Sequence, residues 1–281
     1  MYDWRHVKSK LFVGLVIALS MVALAPVFHL VAVIFVNGVS TLLEAGVGFF
    51  TEMPPTPLSR GLGGIAPSIV GSLLMTLLAL PAVVAIALFA AILTTEFPRS
   101  RLSLLVDVVA KSLTSVPTIA VSMIVYMLVV VPTKSFSSLA GTFALVIVSL
   151  PYAYTYFSSI LRSIPAMYRE AAFSIAMTRW GVVTRVLVPI VARGVVAGVL
   201  ITMARIMGET AALLFTAGRY RAGLNVSLWG PLDAIPLLIF DFILSPFDNL
   251  RRVAWGATFV LLLSYMLVFF ATKLVVREVK L

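Results

Sequence analysis

Apolar runs of about 20 residues, the length needed to cross a bilayer, recur along this chain of 281 residues. Only 11% of the residues are charged, whereas a soluble domain carries about 25%. Inside a bilayer the backbone must satisfy its own hydrogen bonds, and a helix does so within one segment. We therefore predict an all-α fold, a polytopic transmembrane helical bundle in a single domain covering residues 1–281. The predicted membrane spans, about six in number, are residues 11–36, 68–93, 113–132, 140–160, 193–217 and 254–273.

Two apolar segments fit this pattern less well. Residues 5–25 resemble a signal peptide, because basic residues precede an apolar run that ends in small residues. The run continues through Pro26 to Val36, which is too long for such a peptide, so an uncleaved first span is the preferred interpretation. Residues 236–247 are too short to cross and contain interrupting prolines, so they are predicted to form an interfacial or re-entrant helix.

The distribution of lysine and arginine sets the orientation, because cytoplasmic loops carry more of these residues. If the N-terminus is inside, most of the 21 basic residues, among them Lys280 near the C-terminus, also lie inside. The inside segment 161–192 then has the largest positive charge. Two segments rich in proline and glycine, 51–67 and 218–235, become outside loops. Both termini are therefore predicted to be cytoplasmic.

The sequence lacks the residue clusters that support catalysis or metal binding. It has no cysteine, and its two histidines, His6 and His29, are far from each other, so neither thiolate chemistry nor a zinc site is predicted. No phosphate-binding loop of the GxxxxGK[ST] type and no hydrolase motif is present. Basic residues are spread over short loops and form no nucleic-acid-binding patch. We predict no catalytic residue, no metal and no cofactor bound by this chain, and no nucleic-acid partner; membrane lipid surrounds it.

Segment 103–111 is amphipathic and leads into the third predicted span. Asp107 and Lys111 are four residues apart, so a helix brings them together as an ion pair. We interpret this pair as part of a solvated helix face at the membrane surface.

Two charges interrupt the fifth predicted span, which contains the sequence MARIMGETAALLFTAG at residues 203–218. A charged residue at the centre of a membrane helix costs about 2.5 to 3.5 kcal/mol on insertion scales. Arg205 and Glu209 are four residues apart, one helical turn, so they can neutralise each other. One interpretation is a structural ion pair, and the other is a functional site on a transport path.

The inside segment 161–192 is predicted to form a short helix after Pro165, a break near 178–181 and a second amphipathic stretch ending at Pro189. Such a rigid projection can fit a groove of a partner protein. The alternative is an ordinary basic loop held by lipid headgroups.

This loop resembles the EAA loop of ABC-transporter permease subunits. The resemblance is carried by Glu170, Ala171 and Ala172, followed by Ala176 and Pro189. In that family the loop places a coupling helix in a cleft of the cytoplasmic ATPase subunit. The family usually has glycine where this chain has Ala176, and leucine-proline where it has Val188 and Pro189.

Further motifs resemble the phosphate-specific permease subunits, the PstA family. They are TEMPP at 51–55, GGIAP at 63–67, IVGSLL at 69–74 and GETAALLFTA at 208–217. The family more often has proline at the position of Ala212. The resemblance covers most of the chain and implies a type I ABC importer permease fold, with a core of about 68–275.

The resemblance also implies a function and partners. The chain is expected to be the permease subunit of an ATP-driven phosphate importer in the cell membrane, without enzymatic activity of its own. Expected partners are a second, PstC-like permease, two PstB-like ATPase subunits that bind ATP-Mg, and an external PstS-like phosphate-binding protein. Arg205, Glu209 and Thr210 would line the substrate pathway, and the five EAA-loop residues would couple it to the ATPase.

Three other functions remain open from the sequence. A permease for another oxyanion or for phosphonate would share the EAA loop. A stand-alone channel or secondary carrier would not need the 161–192 projection. A membrane scaffold that transports nothing would leave the intramembrane charges without a purpose. An ATPase subunit that copurifies through the inside loop separates the ABC permeases from the last two classes.

Overall fold

The computed structural model of this chain describes residues 2–277, and the described part is made of helices without a strand. Met1 and residues 278–281, which include the Lys280 counted for the orientation, lie outside the described residues. Counted along the chain, the helices are α1 (Tyr2–Ala45), α2 (Gly48–Thr51), α3 (Ala66–Glu96), α4 (Arg101–Leu113), α5 (Thr118–Thr133), α6 (Ser138–Arg162), α7 (Ala166–Ser174), α8 (Arg179–Ile190), α9 (Ala192–Met207), α10 (Ile235–Ile243) and α11 (Asp248–Arg277).

Four of these helices, α1, α3, α6 and α11, are long and apolar enough to cross a membrane. Two further pairs qualify only when each is taken as one bent span. The α4–α5 pair is bent by 106° and the α8–α9 pair by 73°. The described residues therefore give the predicted six spans only if both bent pairs are counted. Proline explains the first bend, because Pro117 precedes α5 with extended backbone and cannot continue a helix.

The core lies where α3 packs along α6. The α3 face toward α6 carries a residue every four positions from Met75 to Ala91, and each is almost completely buried. Three of these five positions are alanine, at 79, 87 and 91. In lipid no hydrophobic effect drives helices together, and small residues at this spacing let two helices pack closely. This contact fixes the two helices on which the remaining elements are placed.

The first helix packs against the last, outside this core. The Phe35 and Phe259 rings meet edge to face with centroids 5.5 Å apart. At Gly38 an added Cβ would lie 2.3 Å from the Phe259 Cβ, so only glycine permits this approach. The Thr41 hydroxyl donates to the carbonyl of Arg252. The N-terminal part of α1 is exposed and apolar, which suits a lipid-facing span.

The short apolar segment before the last span forms helix α10. Leu237 and Leu238 are fully buried, and the helix packs against α11 and α3. Nine residues extend about 14 Å, less than half of a bilayer core. This burial favours the re-entrant alternative over the interfacial one.

The prediction of a continuous helical span over 193–217 is wrong. Helix α9 ends at Met207, and residues 208–217 form a series of turns before Gly218, whose φ is +87°. The apolar pattern misled the prediction because a buried irregular segment is as apolar as a helix. Its backbone is satisfied by distant groups instead: the Ser122 hydroxyl donates to the Ala212 carbonyl, and the Ser137 amide donates to that of Thr216.

Candidate functional site

Arg205 and Glu209 meet at the point where α9 ends. Arg205 lies in the last turn of the helix, about 20 Å along its axis from Ala192, and Glu209 lies beyond the last helical residue. The Arg205 Nη2 is 3.6 Å from the Glu209 Oε2, which is an ion pair too long for a hydrogen bond. The sequence prediction that the two charges pair is confirmed, although Glu209 is not on the helix.

The Arg205 guanidinium is only partly satisfied. Its central carbon is 3.6 Å from the centroid of the Tyr152 ring on α6, within the range of a cation–π contact. Its Nε is buried and has no hydrogen-bond acceptor among the described residues. A buried polar group without a partner calls for an explanation, such as a ligand. The arginine therefore retains donor capacity for an anion.

The same irregular segment carries Thr210, which is half-buried. Within residues 2–277 its hydroxyl makes no hydrogen bond, so this group is also available to a ligand. Irregular backbone at membrane depth occurs where it is covered by protein or lines a cavity, and broken helices form the substrate sites of many transporters. The broken end of α9 thus has the backbone and side-chain features of a binding site.

Gly208 has no side chain, and this leaves room for α11, which lies directly against it. An added Cβ at Gly208 would lie 1.4 Å from the Tyr265 hydroxyl oxygen and 2.7 Å from the ring carbon that carries it. The Tyr265 side chain therefore occupies the space next to the Arg205–Glu209 pair.

Replacing Gly208 with alanine is expected to lower the free energy of unfolding by about 1 to 3 kcal/mol, because the added methyl overpacks this contact. Thermal unfolding of the purified transporter measures the effect. Combining it with Tyr265→Phe should restore part of the loss, since the closest atom is then absent. An alanine variant as stable as the original chain would contradict the close approach of α11.

A second charged cluster, which was not predicted from the sequence, lies between loop 218–234 and α10. The Arg221 guanidinium donates to both oxygens of Asp233, at 2.8 and 3.0 Å, and to Asp241 at 2.8 Å. Asp233 is completely buried and also accepts from the Ser68 hydroxyl on α3. Arg219 completes the cluster by pairing with Asp241 at 2.8 Å.

Electrostatics in this cluster favour the charged form of Arg221. Burial acts to lower the pKa of Arg221, but the hydrogen bonds and charges of Asp233 and Asp241 outweigh burial and raise it above the ordinary value. The one sequence signal was an aspartate between apolar residues in PLDAIP at 231–236. The cluster ties loop 218–234, which follows the broken segment, to α3 and α10.

On the inside, Arg169 fixes helix α7 to the end of α3. Its Nη2 and Nε donate to the Glu96 carboxylate at 2.8 to 3.2 Å, and it also donates to the carbonyls of Leu161 and Ile164. These contacts join α7 to a core helix.

The predicted coupling residues of segment 161–192 differ in their exposure. Glu170, Ala171 and Pro189 are exposed, whereas Ala172 is buried against the core. The helix–break–helix prediction is confirmed, with the break at 175–178 rather than 178–181. The loop also exposes large apolar side chains, namely Met167, Tyr168, Phe173, Ile175 and Trp180.

Ala176 ends helix α7 in a left-handed conformation, with φ +58°. The Met177 amide donates to the Ala172 carbonyl at 3.3 Å, and the Ala176 amide donates to that of Phe173 at 2.9 Å. This is the Schellman pattern, in which the left-handed position usually holds glycine. Alanine in place of the family's glycine is therefore conservative in size but not in backbone energy.

We expect Ala176→Gly to stabilise the loop by about 1 kcal/mol, because a left-handed L-residue costs about 1 to 2 kcal/mol. Trypsin cleavage after the exposed Arg179 should slow by about fivefold, which is the equivalent factor. Ala171→Gly is the matched control, since glycine inside a helix costs about 1 kcal/mol and should speed cleavage. Equal rates in both variants would contradict the left-handed cap.

The Asp107–Lys111 pair is not only part of a solvated face. Lys111 binds one Asp107 oxygen at 2.6 Å, but the buried Tyr154 hydroxyl donates to the other, also at 2.6 Å. Arg162 lies 3.8 Å from the same carboxylate. Asp107 therefore joins α4 to α6 just before segment 161–192, the predicted coupling loop.

Residues 2–277 contain no group of three His, Cys, Asp or Glu that could hold a metal ion.

Comparison with known families agrees with this architecture. Residues 83–281 match the family described as binding-protein-dependent transport system inner membrane component. The probable phosphate transport system permease protein PstA of Methanocaldococcus jannaschii is 34% identical over 274 residues, which are 98% of this chain and 95% of that protein.

The chain belongs to this family of transport permeases.

Other relatives support the same family membership. The phosphate transport system permease protein PstA of Yersinia pestis is 29% identical, covering 99% of this chain and 92% of that protein. PstA of Xylella fastidiosa is 34% identical over 81% of both chains. The family membership and the apolar helices make this chain a multi-pass inner-membrane protein.

A solved structure shares the fold. The permease chain of the inward-facing MetNI methionine ABC transporter matches with a TM-score of 0.57, covering 77% of this chain and 93% of that one at 19% sequence identity. The predicted type I ABC importer permease fold is thus confirmed.

Proposed function

We propose that this chain is the permease subunit of an ATP-driven phosphate importer and forms half of its translocation pathway. The observation that carries this proposal is the near-full-length similarity to PstA permeases, at 34% identity over 98% of the chain. The broken α9 helix, with a partly unsatisfied arginine at membrane depth, gives a physical site for the anion.

Arg205 is the group best suited to bind phosphate in this pathway. A guanidinium stays charged and presents paired donors that match phosphate oxygens. The stacked Tyr152 ring holds the guanidinium plane, and the free Nε and the Thr210 hydroxyl supply donors. Binding must remain weak enough for release. Glu209 meets this need, because its carboxylate at 3.6 Å competes with phosphate for the arginine.

The EAA loop connects this pathway to ATP hydrolysis. Glu170 and Ala171 are exposed, and so are the apolar side chains of Met167, Phe173 and Ile175. Exposed apolar groups on the aqueous side of a membrane protein are typical of a docking surface. Ala172, Ala176 and Pro189 shape the loop. ATP-Mg binds to the partner ATPase, and this chain is not itself an enzyme.

The proposed assembly contains three other kinds of subunit. A PstC-like permease supplies the second half of the pathway, and two PstB-like ATPases each receive one coupling helix. A PstS-like protein delivers phosphate at the outer face. The family's own description, a binding-protein-dependent transport system, supports the external binding protein in this assembly.

Charge reversal at Glu170 is expected to reduce the amount of ATPase subunit that copurifies with the permease by about tenfold, as for a side chain central to an interface. Asp248→Lys provides the matched control, because it makes the same charge change at an exposed side chain at the outer start of α11, far from the loop. If the Glu170→Lys variant copurifies with the full amount of ATPase subunit, Glu170 has no docking role.

The function itself is tested by uptake of labelled phosphate into vesicles that contain this subunit with its partners. Uptake should require ATP and the binding protein, and unlabelled phosphate should compete better than sulfate or phosphonate. Preferred competition by another oxyanion would assign the transporter to that ion. Uptake without ATP would instead favour a channel or carrier.

A further inference from the structure

A cavity of about 460 Å³ lies between the end of α3, the start of α4 and the coupling loop, on the side predicted to be cytoplasmic. Its lining includes Glu96, Phe97 and Arg99 from the α3–α4 connection, and Arg169 and Arg179 from the loop. The cavity is separate from the Arg205 site, and the proposed function does not use it.

The cavity has a positive charge that the protein does not neutralise. Arg169 is paired with Glu96, so these two charges cancel. Neither Arg99 nor Arg179 has an acidic partner among residues 2–277. Arg179 instead places its guanidinium over the Phe97 ring, with 5.5 Å between its central carbon and the centroid. Two arginines that line one cavity and have no carboxylate partner in the described residues indicate an anionic ligand.

The start of α4 adds to this charge. Ser100 caps the helix by accepting from the Ser103 amide, and it lines the same cavity. The remaining free amides of the first turn and the helix dipole favour an anion at this end. These features alone do not define a site, but here they coincide with the two unpaired arginines.

The position of the cavity relative to the membrane follows from the exposed face of α4. This 13-residue helix leaves its apolar side chains open to the surroundings, which suits contact with lipid. The exposed side chains are Leu102, Leu104, Leu105, Val108 and Val109. The opening at the start of α4 therefore lies near the headgroup layer, where both lipid phosphates and cytoplasmic anions reach it.

We propose that this cavity binds a phosphate group, carried either by an anionic lipid headgroup or by free cytoplasmic phosphate. Arg99 and Arg179 bind its oxygens, and the first turn of α4 contributes amide donors. A bound phosphate group bridges the α3–α4 connection to the loop that follows α7. Occupancy of the cavity thereby braces the coupling loop against the core.

The test uses the assembled transporter without its binding protein, in an Arg205→Gln background that removes the pathway site. The cavity variant is Arg99→Gln with Arg179→Gln. The matched control is Arg101→Gln with Arg185→Gln, which removes the same charge from exposed positions that do not line the cavity. Each complex is placed in phosphatidylcholine nanodiscs with or without phosphatidylglycerol.

Two measurements separate the two phosphate sources. Native mass spectrometry counts phosphatidylglycerol retained by the complex, and thermal unfolding in phosphatidylcholine alone reports stabilisation by inorganic phosphate. The cavity variant should bind about thirtyfold more weakly than the control in one of the two assays, since each arginine near an anionic group contributes about fivefold. The assay that changes identifies the source.

Equal binding by the cavity variant and the control in both assays would overturn the proposal. A cavity variant that loses ATPase subunits while phosphate and lipid binding stay unchanged would also overturn it. The two arginines would then belong to the protein interface. Neither result depends on phosphate uptake, so the proposed function is tested separately.

Discussion

Replacing Arg205 with glutamine is expected to reduce ATP-driven phosphate uptake by about a hundredfold or more, because hydrogen bonds to a charged group contribute about 1.5 to 3 kcal/mol each. The change removes the positive charge at membrane depth while keeping a polar, unbranched side chain. Among residues 2–277 the guanidinium pairs with the Glu209 carboxylate and contacts the Tyr152 ring. Initial uptake rates in vesicles measure the effect.

Two further variants separate a transport role from a structural one. Arg205→Lys keeps the charge but loses the planar pair of donors, so its uptake should be intermediate. Arg205→Gln with Glu209→Gln removes both charges and leaves no unpaired carboxylate. If the pair is only structural, this double variant should transport normally. If Arg205 binds phosphate, the double variant should remain inactive although the complex assembles.

The control for assembly is Arg251→Gln. Arg251 forms an exposed pair with Asp248 at 3.2 Å near the outer start of α11, and such pairs contribute little to stability. Its uptake should match that of the original chain. Normal uptake by a well-assembled Arg205→Gln variant would show that the arginine does not serve the pathway.

The broad fold was predictable because lipid imposes strong constraints on sequence. Length and apolarity alone located the spans now seen as α1, α3, α6 and α11, since any crossing segment must be helical and long enough. The helix–break–helix form of the coupling loop followed from Pro165 and the change of pattern near 178–181. These features depend on residues close together in the sequence.

The features that escaped prediction depend on groups far apart in the chain. The break after Met207 is stable because Ser122, on α5, and Ser137, just before α6, satisfy the irregular backbone. Asp233 is paired through Ser68, which is 165 residues away. No local pattern records such contacts. Ala176 shows another limit, because its residue type does not reveal the left-handed conformation that the turn requires.

Removing the Asp233 carboxylate is expected to destabilise the protein by about 3 to 5 kcal/mol, the loss seen when one partner of a buried ion pair is deleted. Asp233 is fully buried, and in Asp233→Ala the mostly buried Arg221 loses one of its two carboxylate partners and keeps Asp241. The thermal unfolding midpoint and the yield of assembled complex should both fall. Asp248→Ala, at a side chain 77% exposed, should change neither.

A double variant tests whether the charges or the packing hold the outer loop. In Asp233→Leu with Arg221→Met, both buried charges are replaced by apolar side chains, and stability should largely recover. Asp241 remains paired with Arg219 in this variant. Because loop 218–234 follows the segment that carries Glu209, a stable double variant with slow phosphate uptake would mean that the cluster positions the pathway. Recovery of both stability and uptake would limit the cluster to holding the fold together.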